Sequence, residues 1–165
     1  MRSIIVGCGR VGASLAARLA REGDEVTIID LRTEAFERLD GDFPGQAVRA
    51  DGTDEDVLRR TGAEGADRFF ALTEGDNRNI LAAQLASERF RIGTIVAKIN
   101  DPVRAEAYAA LGLATICRTS MLVESLAAYL GLPAEREAAR VLAPTGRHHG
   151  DEDPDADARN GEDRA

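Results

Sequence analysis

The sequence is poor in features that define several large classes of proteins. Its two cysteines, Cys8 and Cys117, form no CxxC pair, so no disulfide framework is indicated and a reducing cytosol is the simplest setting. No apolar run approaches the roughly 18 residues that span a bilayer, and no charged-then-apolar leader precedes the first strand pattern, so we expect no direct membrane insertion. The formal net charge of -8 argues against a nucleic-acid partner.

Residues and motifs typical of catalysis are equally scarce. The sequence contains no HExxH, GxSxG or GxxxxGK[ST] motif, and both histidines, His148 and His149, lie near the C-terminus. Neither Tyr108 nor Tyr129 is followed by a lysine four residues later, and we expect no second domain to form a substrate cleft. We therefore expect no catalytic residue, no metal site and no enzyme activity.

Short apolar runs alternate with helical patterns along residues 1–132. The runs are SIIVG, EVTIID, GQAVRA, DRFFALT, TIVAKI and LATIC. This alternation predicts an α/β fold, a Rossmann-like doubly wound parallel sheet of about six strands in a single domain. Gly23 and Gly112 are expected to follow helix ends, and Pro102 to begin a helix. The apolar stripe of the first helical pattern consists of Val11, Leu15 and Leu19.

The composition changes toward the C-terminus. Residues 133–143 are typical of a short helical extension, whereas residues 144–165 have no apolar periodicity. Residues 147–165 hold seven acids and three arginines. Such a segment buries too little surface to offset its ordering entropy, which predicts a disordered acidic tail. Its two adjacent histidines can be interpreted as metal ligands, but a solvated segment is favoured.

Three glycines stand at a spacing that suits phosphate binding. Gly7, Gly9 and Gly12 form GxGxxG between a strand pattern and a helical pattern, the context in which this motif is informative. In such a turn the first glycine allows the tight bend, the second lets a pyrophosphate approach the backbone, and the third lets the helix pack against the strand. The free N–H groups at the helix start then face the phosphates.

An acidic residue follows at the end of the second strand pattern. Asp30 lies 18 residues after Gly12, close to the separation of about 20 expected for a carboxylate that binds ribose hydroxyls. The carboxylate would repel a 2′-phosphate, which favours NAD or a plain adenine nucleotide over NADP. Because Arg32 lies nearby, NADP remains an alternative ligand.

Four segments, in order, resemble a known family. They are MRSIIVGCGRVGASLAARLAREGDEVTIID, ADGTDEDVLRRTGAEGADRFFALTEGDNRNILAAQLA, TIVAKINDP and LGLATICRTSMLVESL. Together, over Met1 to Leu132, they resemble the nucleotide-binding domain of Trk/Ktr-type potassium-uptake regulators, called the KTN domain or the N-lobe of RCK domains. Family members usually carry a further C-terminal lobe, where this sequence has the acidic segment.

The resemblance implies a regulatory function. It implies a cytoplasmic homodimer or larger ring, peripheral to the inner face of the cell membrane, that binds NAD(H), ATP or ADP. The ring would gate a membrane potassium transporter or channel subunit. The alternative is a small NAD-dependent oxidoreductase, or part of one, whose substrate comes from a partner chain.

The resemblance also assigns residues in the first half of the chain. The segment from Gly7 to Val11, which includes Cys8, Gly9 and Arg10, resembles the phosphate loop that Gly12 completes. Within it, Arg10 resembles an arginine that contacts a phosphate, sometimes the phosphate of a ligand bound to a neighbouring subunit. The alternative is that Arg10 is solvated. Asp30 matches the ribose acid. Cys8 starts a helix, where a thiolate is favoured, but a small residue filling a tight turn is the better interpretation.

Further candidates come from the later strands. Asp51 and Thr53 match a segment near the adenine, unless they only cap a helix that starts near Asp54. Thr73 and Glu74 end the fourth strand pattern, at the edge where such sheets bind ligands. Asn79 either reaches the site or faces water. Lys98 is the one lysine beside 20 arginines. As a point charge it can reach the phosphate or the nicotinamide side of a ligand. The alternative is that it extends into solvent from the strand end.

The last helical pattern allows two interpretations. Thr119 or Ser120 is a candidate N-cap. Apolar residues surround the helix, with a stripe of Leu122, Leu126 and Leu130 that Met121, Val123, Ala127 and Ala128 extend. A single stripe would suffice to cover a sheet face, so the helix is either a deeply buried terminal helix or a subunit interface, and Pro133 ends it.

Overall fold

A computed structural model of the chain describes residues 1–134. The strands are β1 (Arg2–Val6), β2 (Glu25–Asp30), β3 (Gln46–Arg49), β4 (Arg68–Ala71), β5 (Thr94–Lys98) and β6 (Thr115–Ile116). The α-helices are α1 (Arg10–Arg21), α2 (Glu55–Arg60), α3 (Asp76–Glu88), α4 (Pro102–Ala110) and α5 (Arg118–Tyr129). Two short 3-10 helices span Thr33–Arg38 and Ala63–Gly65. The predicted tail, and the predicted helical extension from residue 135 onward, lie outside the described residues.

The six strands form one parallel sheet in the order β3-β2-β1-β4-β5-β6. The predicted doubly wound fold is therefore confirmed. The strand order reverses between β1 and β4, where Val6 pairs with Ala71. Chain connections diverge on either side of that point, so they leave a crevice at the carboxyl ends of the strands.

Helices cover both faces of the sheet, which explains why its strands are continuously apolar. In β1, Ile4 and Val6 belong to one core cluster with residues of α2, α3 and α4. Ile5, between them, belongs to a second cluster with residues of α1 and the first 3-10 helix. Alternate side chains of a strand point to opposite faces, so one apolar strand serves both cores.

The buried face of α1 differs from the predicted stripe. Val11 is 57% exposed, whereas Gly12, Ala13 and Ala16 are the buried residues of the helix. Leu15 and Leu19 are only partly buried, at the margin of the second core cluster. The helix lies so close to the sheet that only residues with small side chains fit between them.

The helix ends follow local chemistry in most places. Gly23 and Gly112 adopt φ values of +88° and +91° after α1 and α4, which confirms both as residues that follow helix ends. Pro102 is the first residue of α4, as predicted, and the Asp101 side chain caps this helix.

The start of α5 was predicted wrongly. Its N-cap position is Cys117, not Thr119 or Ser120. The Thr119 hydroxyl instead donates a hydrogen bond of 2.8 Å to the Asn100 carbonyl oxygen, so it ties α5 to the segment after β5.

No residue of α5 is buried among the described residues, so the interpretation as a deeply buried helix is wrong. Its large apolar side chains, including Met121 at 53% and Tyr129 at 88%, face outward. Within residues 1–134, no helix has both the length and the apolar character needed to cross a membrane.

Candidate nucleotide-binding site

A cleft of about 850 Å³ lies at the carboxyl edge of the sheet, at the strand-order reversal. Its cationic lining residues are Arg10, Arg32, Arg38, Arg78, Lys98 and Arg118. Its acidic lining residues are Asp30, Asp51 and Glu74. The cleft thus has an excess of positive charge although the chain as a whole carries a net charge of -8. This balance suits a polyanionic ligand.

The glycine-rich turn forms the wall of the cleft between β1 and α1. Gly7 adopts φ +107°, and a Cβ there would lie 2.8 Å from the Thr73 amide nitrogen. A Cβ on Gly12 would overlap the Gly7 carbonyl oxygen. Above Gly9, by contrast, nothing lies within 4 Å of the position a Cβ would take. The first and third glycines therefore allow close packing, while the second leaves room for a ligand.

The start of α1 faces the free space above Gly9. Gly9 is the N-cap residue, and no side chain caps the helix. The first N–H groups of the helix are therefore available to an anion. Arg10 lines the cleft and makes no ion pair with another residue of the described part of the chain. The predicted phosphate loop thus has the geometry of one, with an arginine beside it.

Asp30 is held rigidly at the end of β2. Its Oδ2 accepts a hydrogen bond of 2.8 Å from the Cys8 backbone N–H, and its Oδ1 accepts one of 2.9 Å from the Arg32 N–H. The side chain is 13% exposed, on the cleft side. Each carboxylate oxygen can accept a second hydrogen bond, so the group can still bind ribose hydroxyls.

Asp51 and Thr53 line the cleft after β3 and do not cap α2. The α2 cap is Asp54, whose side chain accepts hydrogen bonds from the Asp56 and Val57 N–H groups. Asp51 Oδ1 instead accepts from the Thr53 hydroxyl at 2.7 Å and from the Thr53 N–H at 2.9 Å. These two hydrogen bonds hold the pKa of Asp51 below its ordinary value. An ionised carboxylate therefore lines this side of the cleft.

Cys8 and Gly12 belong to the loop without lining the cleft. Cys8 is fully buried and packs in the core cluster on the α1 face of the sheet. Burial raises the pKa of the Cys8 thiol to about 11, the Asp30 carboxylate acts in the same direction, and Arg38 opposes it. Burial and the Asp30 carboxylate therefore oppose the Cys8 thiolate that a helix start would favour. Cys8 fills space, as the preferred interpretation stated.

Asn79 neither reaches the cleft nor faces water. It is fully buried on α3. Its Oδ1 accepts from the Thr73 N–H at 2.8 Å and the Thr73 hydroxyl at 2.7 Å, and its Nδ2 donates to the carbonyl oxygens of Thr73 at 2.9 Å and Lys98 at 2.7 Å. These four bonds use the full capacity of the amide. Asn79 therefore joins the ends of β4 and β5, and so sets the positions of Thr73 and Lys98 in the cleft wall.

Lys98 and Glu74 form an ion pair at the far side of the cleft. Lys98 Nζ lies 3.1 Å from Glu74 Oε1, and Arg118 Nη1 lies 4.0 Å from Glu74 Oε2. The hydrogen bond from Lys98 holds the pKa of Glu74 below its ordinary value. The Lys98 side chain is 6% exposed, so it does not extend into solvent.

Three lining arginines, Arg38, Arg78 and Arg118, were not predicted. Arg118 lies two residues after the end of β6, so the rule that places ligands at the carboxyl ends of strands could have found it. Arg78 lies in the first turn of α3, and Arg38 ends the first 3-10 helix. No sequence signal identifies these two, because their position depends on how each helix is oriented.

This strand order, with a glycine-rich turn at the first strand and an acid at the end of the second, defines a Rossmann domain, a fold of the NAD-binding type. The chain belongs to the TrkA-N domain family, whose model matches residues 3–119. The resemblance found in the sequence is thereby confirmed.

A relative supports the family assignment, and two solved structures share the fold. The Trk system potassium uptake protein TrkA of Streptomyces coelicolor is 45% identical over 116 residues, which cover 70% of this chain and 52% of that protein. The chain thus spans about half the length of this relative. The fold is similar to the Shewanella denitrificans Kef CTD in AMP bound form, with TM-score 0.68, 22% identity and coverage of 85% and 86% of the two chains. It is also similar to the TrkA-N domain of the inner membrane protein ybaL from Escherichia coli, with TM-score 0.65, 17% identity and coverage of 78% and 96%.

Asn79 should be essential for the stability of the cleft wall. Asn79→Ala leaves buried polar groups of Thr73 and Lys98 without partners, so we expect the free energy of unfolding to fall by about 3 kcal/mol. Asn77→Ala, on the exposed side of the same helix, should cost about 0.5 kcal/mol or less. Urea unfolding measures both values. Equal small losses for the two variants would contradict the role of Asn79.

Proposed function

We propose that this chain is a nucleotide-binding regulatory module of a potassium-uptake system. It binds NAD(H) or an adenine nucleotide and gates a membrane transporter or channel partner from the cytoplasmic side. Two features support the proposal: the membership of the TrkA-N family and the name of the Streptomyces coelicolor relative, a potassium uptake protein.

The observation that carries the nucleotide proposal is the geometry around Gly9. Free space lies above this residue, the uncapped start of α1 adjoins it, and Arg10 and Lys98 line the same cleft. Asp30 stands at the ribose position of the Rossmann fold. The AMP named for the similar Kef domain is a ligand of the same chemistry.

Regulation follows if two nucleotides stabilise two arrangements of the assembled protein to different extents. The shift in gating is then limited by the difference in their affinities for the two arrangements.

Asp30→Ala should weaken nucleotide binding. The variant removes charge-assisted hydrogen bonds worth about 1.5–3 kcal/mol each, so we expect at least a tenfold loss of affinity. Isothermal titration with NAD, NADH, NADPH, ATP and ADP measures the effect, and NADPH should bind more weakly than NADH to the unmodified chain. Asp42→Ala, at an exposed loop position outside the cleft, serves as the matched control. Unchanged affinity in the Asp30 variant, with an unchanged melting temperature, would exclude the ribose assignment.

We further propose that the chain binds its nucleotide without chemical turnover. Residues 1–134 contain no histidine, and the tyrosines lie elsewhere: Tyr108 packs at the margin of a core cluster, and Tyr129 is exposed on α5. A hydride transfer would need an acid or base beside the nicotinamide. Neither tyrosine lines the cleft, and Lys98 and Glu74, which do, are paired with each other at 3.1 Å.

NADH should therefore remain unconsumed when 2-keto acids are supplied, and NAD should remain unreduced with 2-hydroxy acids. Absorbance at the nicotinamide band measures this. A steady change that requires the protein and disappears in Asp30→Ala would support the oxidoreductase alternative.

The exposed face of α5 supports a homodimer or larger ring. A second copy can cover the same patch symmetrically, so that each partner buries the other's apolar side chains. Met121→Glu or Tyr129→Glu should shift the protein toward monomer with the fold retained. Light scattering at micromolar concentration measures the mass, and Leu81→Glu, an exposed leucine on α3, is the control. A monomer in the unmodified protein would contradict the interface.

A further inference from the structure

One acidic side chain bridges two cationic side chains on the far wall of the cleft. Glu74, after β4, lies 3.1 Å from Lys98 Nζ and 4.0 Å from Arg118 Nη1. Lys98 ends β5, and Arg118 begins α5 two residues after the end of β6. We refer to these three residues as the Glu74 bridge. All three line the same cleft as the glycine-rich turn.

The members of the Glu74 bridge differ sharply in exposure. The Glu74 side chain is 75% exposed, whereas that of Lys98 is 6% exposed. A buried ammonium is stable only beside an anion or other acceptors, but an exposed carboxylate is well solvated without its partner. Lys98 therefore needs an anion more than Glu74 needs a cation. Glu74 can leave the pair at little cost, provided that another anion replaces it.

Lys98 also has unused binding capacity. An ammonium group has three N–H donors, and Glu74 is its single side-chain acceptor within residues 1–134. Arg118 is 64% exposed and holds Glu74 only at the limit of an ion pair. An anionic group of a ligand can therefore contact both cations.

The bridge lies opposite the adenosine half of the cleft. Asp30 ends β2, and Asp51 and Thr53 follow β3. The bridge lies on the other side, where Glu74 follows β4, Lys98 ends β5 and Arg118 follows β6. The glycine-rich turn after β1 lies between the two halves, because β1 is central in the sheet. A nucleotide with its ribose at Asp30 and its first phosphates at α1 directs its terminal group toward Lys98 and Arg118.

We propose that Glu74 is an internal competitor for the ligand's terminal phosphate, and that the terminal phosphate of a nucleoside triphosphate replaces the Glu74 carboxylate between Lys98 and Arg118. The inference rests on the proposed nucleotide-binding function. It assigns to Glu74 and Arg118 the selectivity between ligands that carry this phosphate and ligands that do not. A nucleoside monophosphate occupies the adenosine half and leaves the bridge intact.

The test compares ATP with AMP on variants of the bridge, by calorimetry in metal-free buffer. Glu74→Gln removes the competing charge, so ATP affinity should rise about tenfold while AMP affinity stays unchanged. Arg118→Ala should lower ATP affinity by a similar factor, again without an effect on AMP. Unchanged AMP affinity also shows that each variant keeps the folded cleft.

Glu64→Gln is the matched control. Glu64 is an exposed glutamate, paired with Arg59 outside the cleft, so the variant makes the same change in net charge. A rise in ATP affinity equal to that of Glu74→Gln would overturn the inference, since it would reflect net charge alone.

The remaining outcomes separate the inference from the function on which it rests. If AMP or NAD binds and the ratio of ATP to AMP affinity is the same in the unmodified chain, Glu74→Gln and Arg118→Ala, the inference is overturned and the nucleotide site stands. If Glu74→Gln weakens ATP binding, Glu74 positions Lys98 rather than competing, and the inference is again overturned. If no nucleotide binds the unmodified chain, both proposals fail.

Discussion

Close packing of α1 against the first turn is the constraint on which the site depends. Gly12 brings the helix against the Gly7 carbonyl, at a distance that no side chain at position 12 would allow. This contact places the uncapped start of α1 at the sheet edge, and it brings the Cys8 N–H within 2.8 Å of Asp30. The free N–H groups of α1 and the Asp30 carboxylate are thus held as one unit, and a larger residue at position 12 would displace both.

The elements that the sequence predicts well are those with local patterns. Strand runs, glycine spacing and the acid that ends β2 are all visible as local patterns, so the sheet, the glycine-rich turn and the position of Asp30 could be predicted. The buried face of α1 could not be predicted in the same way. Helical periodicity selects large apolar residues such as Val11, whereas close approach to the sheet selects Gly12, Ala13 and Ala16.

Features that depend on residues far apart in the sequence could not be predicted. Asn79 bonds to Thr73, six positions away, and to Lys98, 19 positions away, so its role follows from the pairing of β4 and β5 rather than from its own helix. The raised pKa of Cys8 likewise results from burial by other elements. The position of Arg118 after β6 carried a usable signal, but its approach to Glu74 depends on the tertiary structure.

Arg118 belongs both to the wall of the cleft and to α5. It lines the cleft and is also the first residue of α5, which has no buried residue among those described. Little core packing therefore opposes a shift of this helix. A ligand that contacted Arg118 would favour one position of α5 by the strength of that contact, whereas a ligand that did not reach Arg118 would favour none. Coupling is reciprocal. If α5 associates with a second copy as proposed, that association would change the affinity for a ligand that contacts Arg118 by the same factor by which the ligand changes the association.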